Sequence, residues 1–187
     1  LSLNTIFARM DKLFGTQEVV SRLPNKSIVR HSYTDIARRT RALAHALKGL
    51  GVEKGDRVAT LSWNHHAHLE CYFGIPLTGA VMHTLNLRLS GEEIGWIAGH
   101  AEDKVLIVDD ILLPLYGQVA EHYKFEHVIV VPFGGEPIPS ELLNYEALIA
   151  PHLGKDFTPA PHDENDPIGL CYTSGTTGRP KGVAYSH

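Results

Sequence analysis

Between residues 57 and 131 short apolar runs alternate with longer stretches of helical period, and no other feature restricts the fold as strongly. Residues 58–61, 81–84, 104–108 and 127–131 read as strands, each apolar enough to be buried. Between them, Asn64 is placed to cap a helix running toward Pro76, and Ser90-Gly91-Glu92-Glu93 has the spacing of a capping box. The helix it opens carries Ile94, Ile97 and Ala101 on one side, and 111–123 reads as a further helix. Such alternation predicts an α/β fold, a mostly parallel sheet with helices on both faces. There is no internal repeat.

The flanking regions extend this core. Asn4 or Thr5 caps an expected helix reaching Leu13, with Ile6, Met10 and Leu13 at helical spacing. Residues 19–23 and 27–30 flank Pro24-Asn25-Lys26, a hairpin signal. A second capping box, Ser32-Tyr33-Thr34-Asp35, opens a helix to about Leu50 that stops at Gly51. Ile36, Leu43, Leu47 and Leu50 form its core stripe, and Arg38, Arg41, His45 and Lys48 a solvated face. From Pro132 to Asp166 six prolines and Gly134-Gly135 break the rhythm, which marks a surface connection with one short helix near 142–150. Strand pattern resumes at 168–172. The organisation read from the chain is thus an N-terminal helix and hairpin (1–31), an α/β core (32–131), a connection (132–166) and a strand leading into a loop (167–187).

With 187 residues, 43% hydrophobic and 20% charged, the chain suits one sizeable folded domain instead of a disordered segment. Its net charge of −4 argues against bulk electrostatic binding to nucleic acid or to an anionic membrane. No apolar run reaches the length of an integral membrane segment, and no secretory apolar stretch follows Arg9 and Lys12. Cys71 and Cys171 form no spaced motif and are expected as two buried, reduced thiols, which suits a cytoplasmic protein.

The strand at 168–172 runs directly into YTSGTTGRPKG. Thr173, Ser174, Thr176 and Thr177 place four hydroxyls within five residues, while Gly175 and Gly178 admit backbone angles closed to other residues. Backbone N–H groups in such a turn form an anion-binding concavity, and Lys181 adds a point charge for phosphate oxygens. A loop leaving a buried strand sits at the carboxyl edge of the sheet, where α/β proteins bind ligands. It is not a Walker A loop. Counting from Gly175, Pro180 stands where the second glycine belongs, and Lys181 is followed by Gly182 instead of a hydroxyl residue. Ser174 lacks the G-x-S-x-G elbow of a serine nucleophile.

Tyr172 to Gly182 resembles the phosphate-loop signature of the adenylate-forming superfamily, and residues 32–109 resemble the first region of its fatty-acyl-CoA synthetases. The resemblance implies a ligase. A carboxylate, here a medium- or long-chain fatty acid, attacks the α-phosphorus of ATP, and the thiol of CoA then displaces AMP. It implies that Thr173, Ser174, Gly175, Thr176, Thr177, Gly178 and Lys181 grip the β- and γ-phosphates, with Lys181 catalytic and Thr173 touching Mg²⁺. It also implies small-molecule partners (ATP, fatty acid and CoA) and a homodimer of the full-length enzyme. The superfamily's adenine and ribose contacts, magnesium-binding glutamate, acyl pocket and C-terminal lid lie downstream of this loop, so residues 1–187 are expected to be an inactive N-terminal portion when isolated. The rival readings are an adenylating enzyme with a carrier-protein or amino-acid substrate, a stand-alone nucleotide-binding module, and a structural remnant.

Other residues carry less. His65, His66 and His68 suggest a metal site, but no third ligand is placed, and they read as helix-start residues. Glu70, Glu92 and Glu93 suggest an acid/base pair, although capping explains Glu93. Asp109-Asp110 reads as the end of a strand and the cap of the next helix.

Overall fold

A computed structural model describes residues 2–173 and 179–187. Helix α1 (Leu3–Phe14) starts two or three residues earlier than expected, because Ser2 accepts the Thr5 N–H as its cap. Strands β1 (Glu18–Arg22) and β2 (Ile28–Ser32) form the expected antiparallel hairpin. Both capping boxes are present. Ser32 and Asp35 cap α2 (Tyr33–Gly49), and Gly51 turns the chain at φ 79°. Ser90 and Glu93 cap α4 (Gly91–Ala101).

The core is a seven-stranded sheet of order β7-β6-β5-β3-β4-β8-β9, parallel except for the last pair. Its strands are β3 (Arg57–Leu61), β4 (Val81–Thr84), β5 (Asp103–Asp109), β6 (His127–Val131), β7 (Leu143–Asn144), β8 (Pro167–Thr173) and β9 (Lys181–Ser186). Alternation along each strand serves two cores. Val58, Val105, Ile107 and Ile129 face α2, α3 (His66–Leu77) and α6 (Tyr145–Ile149). Ala59, Leu61, Leu106, Val108 and Val130 face α4 and α5 (Leu113–Ala120). The helices thus lie on both faces, as the strand–helix alternation requires. Helix α1 forms a third layer, with Phe7 and Met10 packed on Ile36, Ala37 and Leu77.

Several local expectations are corrected. Helix α3 is preceded by His65, not capped by Asn64, and His65 makes no capping bond. The helix expected over 111–123 is a 3₁₀ turn at Asp110–Leu112 followed by the shorter α5; Pro114 in its first turn lacks the N–H that a continuous helix needs. Asp110 caps no long helix. Its buried carboxylate instead accepts the N–H groups of Gly134, Gly135 and Glu136, together with that of Ile111, and so fastens the connection to the end of β5. The basic face of α2 is partly structural: Arg41 pairs with Asp11 of α1, and Lys48 donates to the Val52 carbonyl. Cys71 is buried, but Cys171, on the partly exposed β8, is only half-buried; both thiols are free. Among the described residues no helix is long and apolar enough to cross a membrane.

Candidate phosphate-binding site

Strand β8 runs parallel to β4, which sets Thr173, its last residue, at the carboxyl edge of the sheet. The chain returns as β9, antiparallel, beginning at Lys181. Thr173 and Lys181 are direct cross-strand partners, and Tyr172 stands opposite Gly182. Directly opposed residues share a face of the sheet, so the first hydroxyl and the lysine of the motif are brought side by side although seven residues separate them. Both are exposed. Ser174, Gly175, Thr176, Thr177 and Gly178 lie outside the described residues.

Tyr172 is turned to the α4 side, where it packs against the second core. Its hydroxyl lies 2.6 Å from His100 Nδ1, and its ring is 5.2 Å from that of His83. His83 is itself fixed by Asp103, whose carboxylate oxygens are 2.9 and 2.8 Å from Nδ1. Because neighbours on a strand point to opposite faces, Thr173 and Lys181 project to the other side, away from this anchor. Gly182 lets the Tyr172 ring lie across the hairpin: a Cβ there would stand 3.2 Å from two ring carbons.

The histidine cluster lies at the same sheet edge, bonded to neighbouring strands. Asp109 ends β5; its carboxylate accepts the Trp63 N–H and the Ser62 hydroxyl, and His65 Nε2 is 2.9 Å from Oδ1. Serine, histidine and aspartate meet here, yet Ser62 Oγ and Asp109 both approach the same ring nitrogen, so no relay from one nitrogen to the other exists. His68 Nε2 is 3.2 Å from Thr60 Oγ1, and the His66 backbone N–H donates to Ser21. Burial lowers the pKa of His68 to about 4. Burial, then the charges of His31 and Arg39, lower that of His66 to about 3. Among the described residues no three histidine, cysteine or acidic side chains are placed to hold a metal ion.

Glu70 has both carboxylate oxygens engaged within the fold. Arg39 Nε donates to its Oε1 at 2.7 Å and the Tyr145 hydroxyl to its Oε2 at 2.7 Å, while the rest of the guanidinium forks onto Glu146. Arg39 carried no expectation from the sequence, because nothing local distinguishes it from its neighbours Arg38, which is exposed, and Arg41, which pairs with Asp11.

The α/β sheet thus sets an exposed hydroxyl and a lysine together at its carboxyl edge, on either side of the loop. The family follows from comparison with known proteins. Residues 12–187 match the family described as AMP-binding enzyme, and the chain belongs to that family. Over its whole length it is 46% identical to a long-chain-fatty-acid–CoA ligase of Thermus thermophilus and 37% identical to a medium-chain-fatty-acid–CoA ligase of Ectopseudomonas oleovorans. It spans about a third of those relatives, 34% and 35% of their lengths. Among solved structures, the anthranilate CoA ligase AuaEII in complex with anthranoyl-AMP matches the whole chain and 35% of its own length, with a TM-score of 0.88 at 26% identity.

Proposed function

We propose that this chain supplies the phosphate-binding part of an ATP-dependent acid–CoA ligase acting on a medium- or long-chain fatty acid. The observation that carries the reading is the pairing of Thr173 with Lys181 across the β8–β9 hairpin, in a chain of the AMP-binding enzyme family. The names of the two ligase relatives support the fatty-acid class and CoA as acceptor.

In the proposed reaction a carboxylate oxygen of the acid bonds to the α-phosphorus of ATP, and the bond from that phosphorus to the bridging oxygen breaks. Pyrophosphate leaves with the electron pair. Negative charge grows on the leaving group, and a fixed cation beside it lowers the barrier. Lys181 is that cation in this reading, held by its ladder position opposite Thr173. The residues fit Mg²⁺ in one respect: Thr173 presents an exposed hydroxyl, a hard oxygen donor of the kind this ion accepts beside phosphate oxygens. When bound, the ion would supply further neutralisation of the phosphates. In the second step the CoA sulfur attacks the acyl carbon and AMP departs. Residues 1–187 alone would grip phosphate without completing either step, and the cytoplasm, where ATP and CoA are available, is the proposed location.

Fatty-acid-dependent exchange of labelled pyrophosphate into ATP by the full-length protein tests this. Lys181→Ala is expected to lower the exchange rate about 10²-fold or more, the usual effect of removing one group that stabilises developing charge. Exchange unaffected by Lys181→Ala, or driven by amino acids and not by fatty acids, refutes the reading.

A further inference from the structure

Strand β8 and the segment just before β9 are tied to one face of one helix. Trp96 and His100 stand four residues apart on α4 and share a face, their rings stacked 5.0 Å apart at 25°. His100 holds the leading strand through the Tyr172 hydroxyl, 2.6 Å from Nδ1, with the two rings edge to face. Trp96 holds the returning segment: the Arg179 guanidinium carbon lies 5.2 Å from the centre of its ring, in cation–π geometry. Trp96, Arg179 and Pro180, together with Glu92 and Glu93, line a cleft of about 210 Å³ where the two elements meet.

Helix α4 is a rigid base for such a hold. Its inner side is anchored by the buried Ile94, Ile97 and Ala98, and its start by the capping box. It also lies so close to α5 and the turn that follows it that a Cβ on Gly91 or Gly95 would come within 2.4 Å of Gln118 Cβ or 2.5 Å of His122 Cβ. The far side of α4 is therefore fixed in the core, while Trp96 and His100 face the hairpin.

We propose that Trp96 and His100 are positioning residues of the phosphate site. By holding Arg179 and Tyr172, they set where Lys181 and Thr173 stand at the mouth of the hairpin, and so govern the affinity for the polyphosphate of ATP while leaving the acid site alone. This rests on the phosphate-binding reading above. A cation–π contact at a half-exposed site changes an equilibrium about two- to fivefold, so the effect expected from Trp96 is modest and selective.

The test uses the full-length protein and two readouts, hydrogen–deuterium exchange of peptides spanning 170–183 and the separate KM values for MgATP and fatty acid. Trp96→Ala and Arg179→Ala should each speed exchange in those peptides about two- to fivefold and raise the KM for MgATP by a similar factor, with the fatty-acid KM unchanged. Trp96→Phe, which keeps an aromatic face, should restore both. Unchanged exchange and unchanged KM for MgATP overturn the proposal. Loss confined to melting temperature, with no rescue by phenylalanine, also overturns it by reducing Trp96 to a packing residue. If exchange accelerates as expected but neither Trp96→Ala nor Lys181→Ala alters MgATP kinetics, the hold on the hairpin stands and the phosphate reading fails.

Discussion

Replacing Arg39 by methionine should destabilise the chain far more than its place on a charged helix face suggests. Arg39 on α2 joins Glu70 of α3 and Glu146 of α6, and the two acids are not equivalent. The Glu70 side chain is fully buried and that of Arg39 12% exposed, whereas Glu146 is 43% exposed. Burial raises the Glu70 pKa against the pull of Arg39 and Tyr145. Methionine preserves much of the aliphatic stem but leaves the Glu70 carboxylate buried beside only a neutral tyrosine donor. Removing one partner of a buried pair costs about 3–5 kcal/mol. In a chain of this size that lowers the melting temperature by about 6–20 °C. Glu146→Gln, which breaks the solvent-screened arm, should cost under about 1 kcal/mol. The pH dependence adds a signature. An acid whose native pKa is raised binds protons more readily when folded, so its unfavourable charge is relieved as pH falls. The deficit of Arg39→Met relative to wild type should therefore narrow between pH 7 and pH 5, and Glu70→Gln added to it should recover most of the loss. Thermal and urea melts at the two pH values measure this. A deficit below about 1 kcal/mol, or one that is the same at both pH values, would refute the reasoning.

Three further outcomes are expected. Stability should fall as pH drops from about 6.5 through 4, because the native pKa of His68 is depressed to about 4 and the unfolded chain takes the proton first; His68→Gln should flatten that fall in pH-dependent melts. Asp110→Ala strands several N–H groups of the connection and should cost about 2–4 kcal/mol by urea unfolding, with faster amide exchange at 134–136. Gly91→Ala forces a Cβ to within 2.4 Å of Gln118 Cβ and should destabilise by about 1–3 kcal/mol, whereas Gly117→Ala, which meets nothing within 4 Å, should not.

What was legible in the residues was whatever depends on near neighbours along the chain. Apolar runs and helical spacing report burial of successive side chains, so the strand–helix alternation and its parallel sheet could be read directly. The two capping boxes could be read because each is a bond between residues three apart. Contacts across the fold were not legible in this way. The pairing of Thr173 with Lys181 was not written in any local pattern; it appears only once β9 returns along β8. The strand order places β5 beside β3 and β8 beside β4, and no local pattern encodes which buried strands become neighbours. Arg39 finds Glu70 31 positions away and Glu146 107 positions away, and His65 finds Asp109 44 positions away. Only the packed chain distinguishes these side chains from their solvated or helix-start neighbours. The hold of α4 on the hairpin belongs with them: Trp96 and His100 look like ordinary helix residues until the sheet carries Tyr172 and Arg179 to their face. Local periodicity determined which elements form, and the tertiary structure decided which of their polar groups lose water together, because that depends on topology and not on sequence separation.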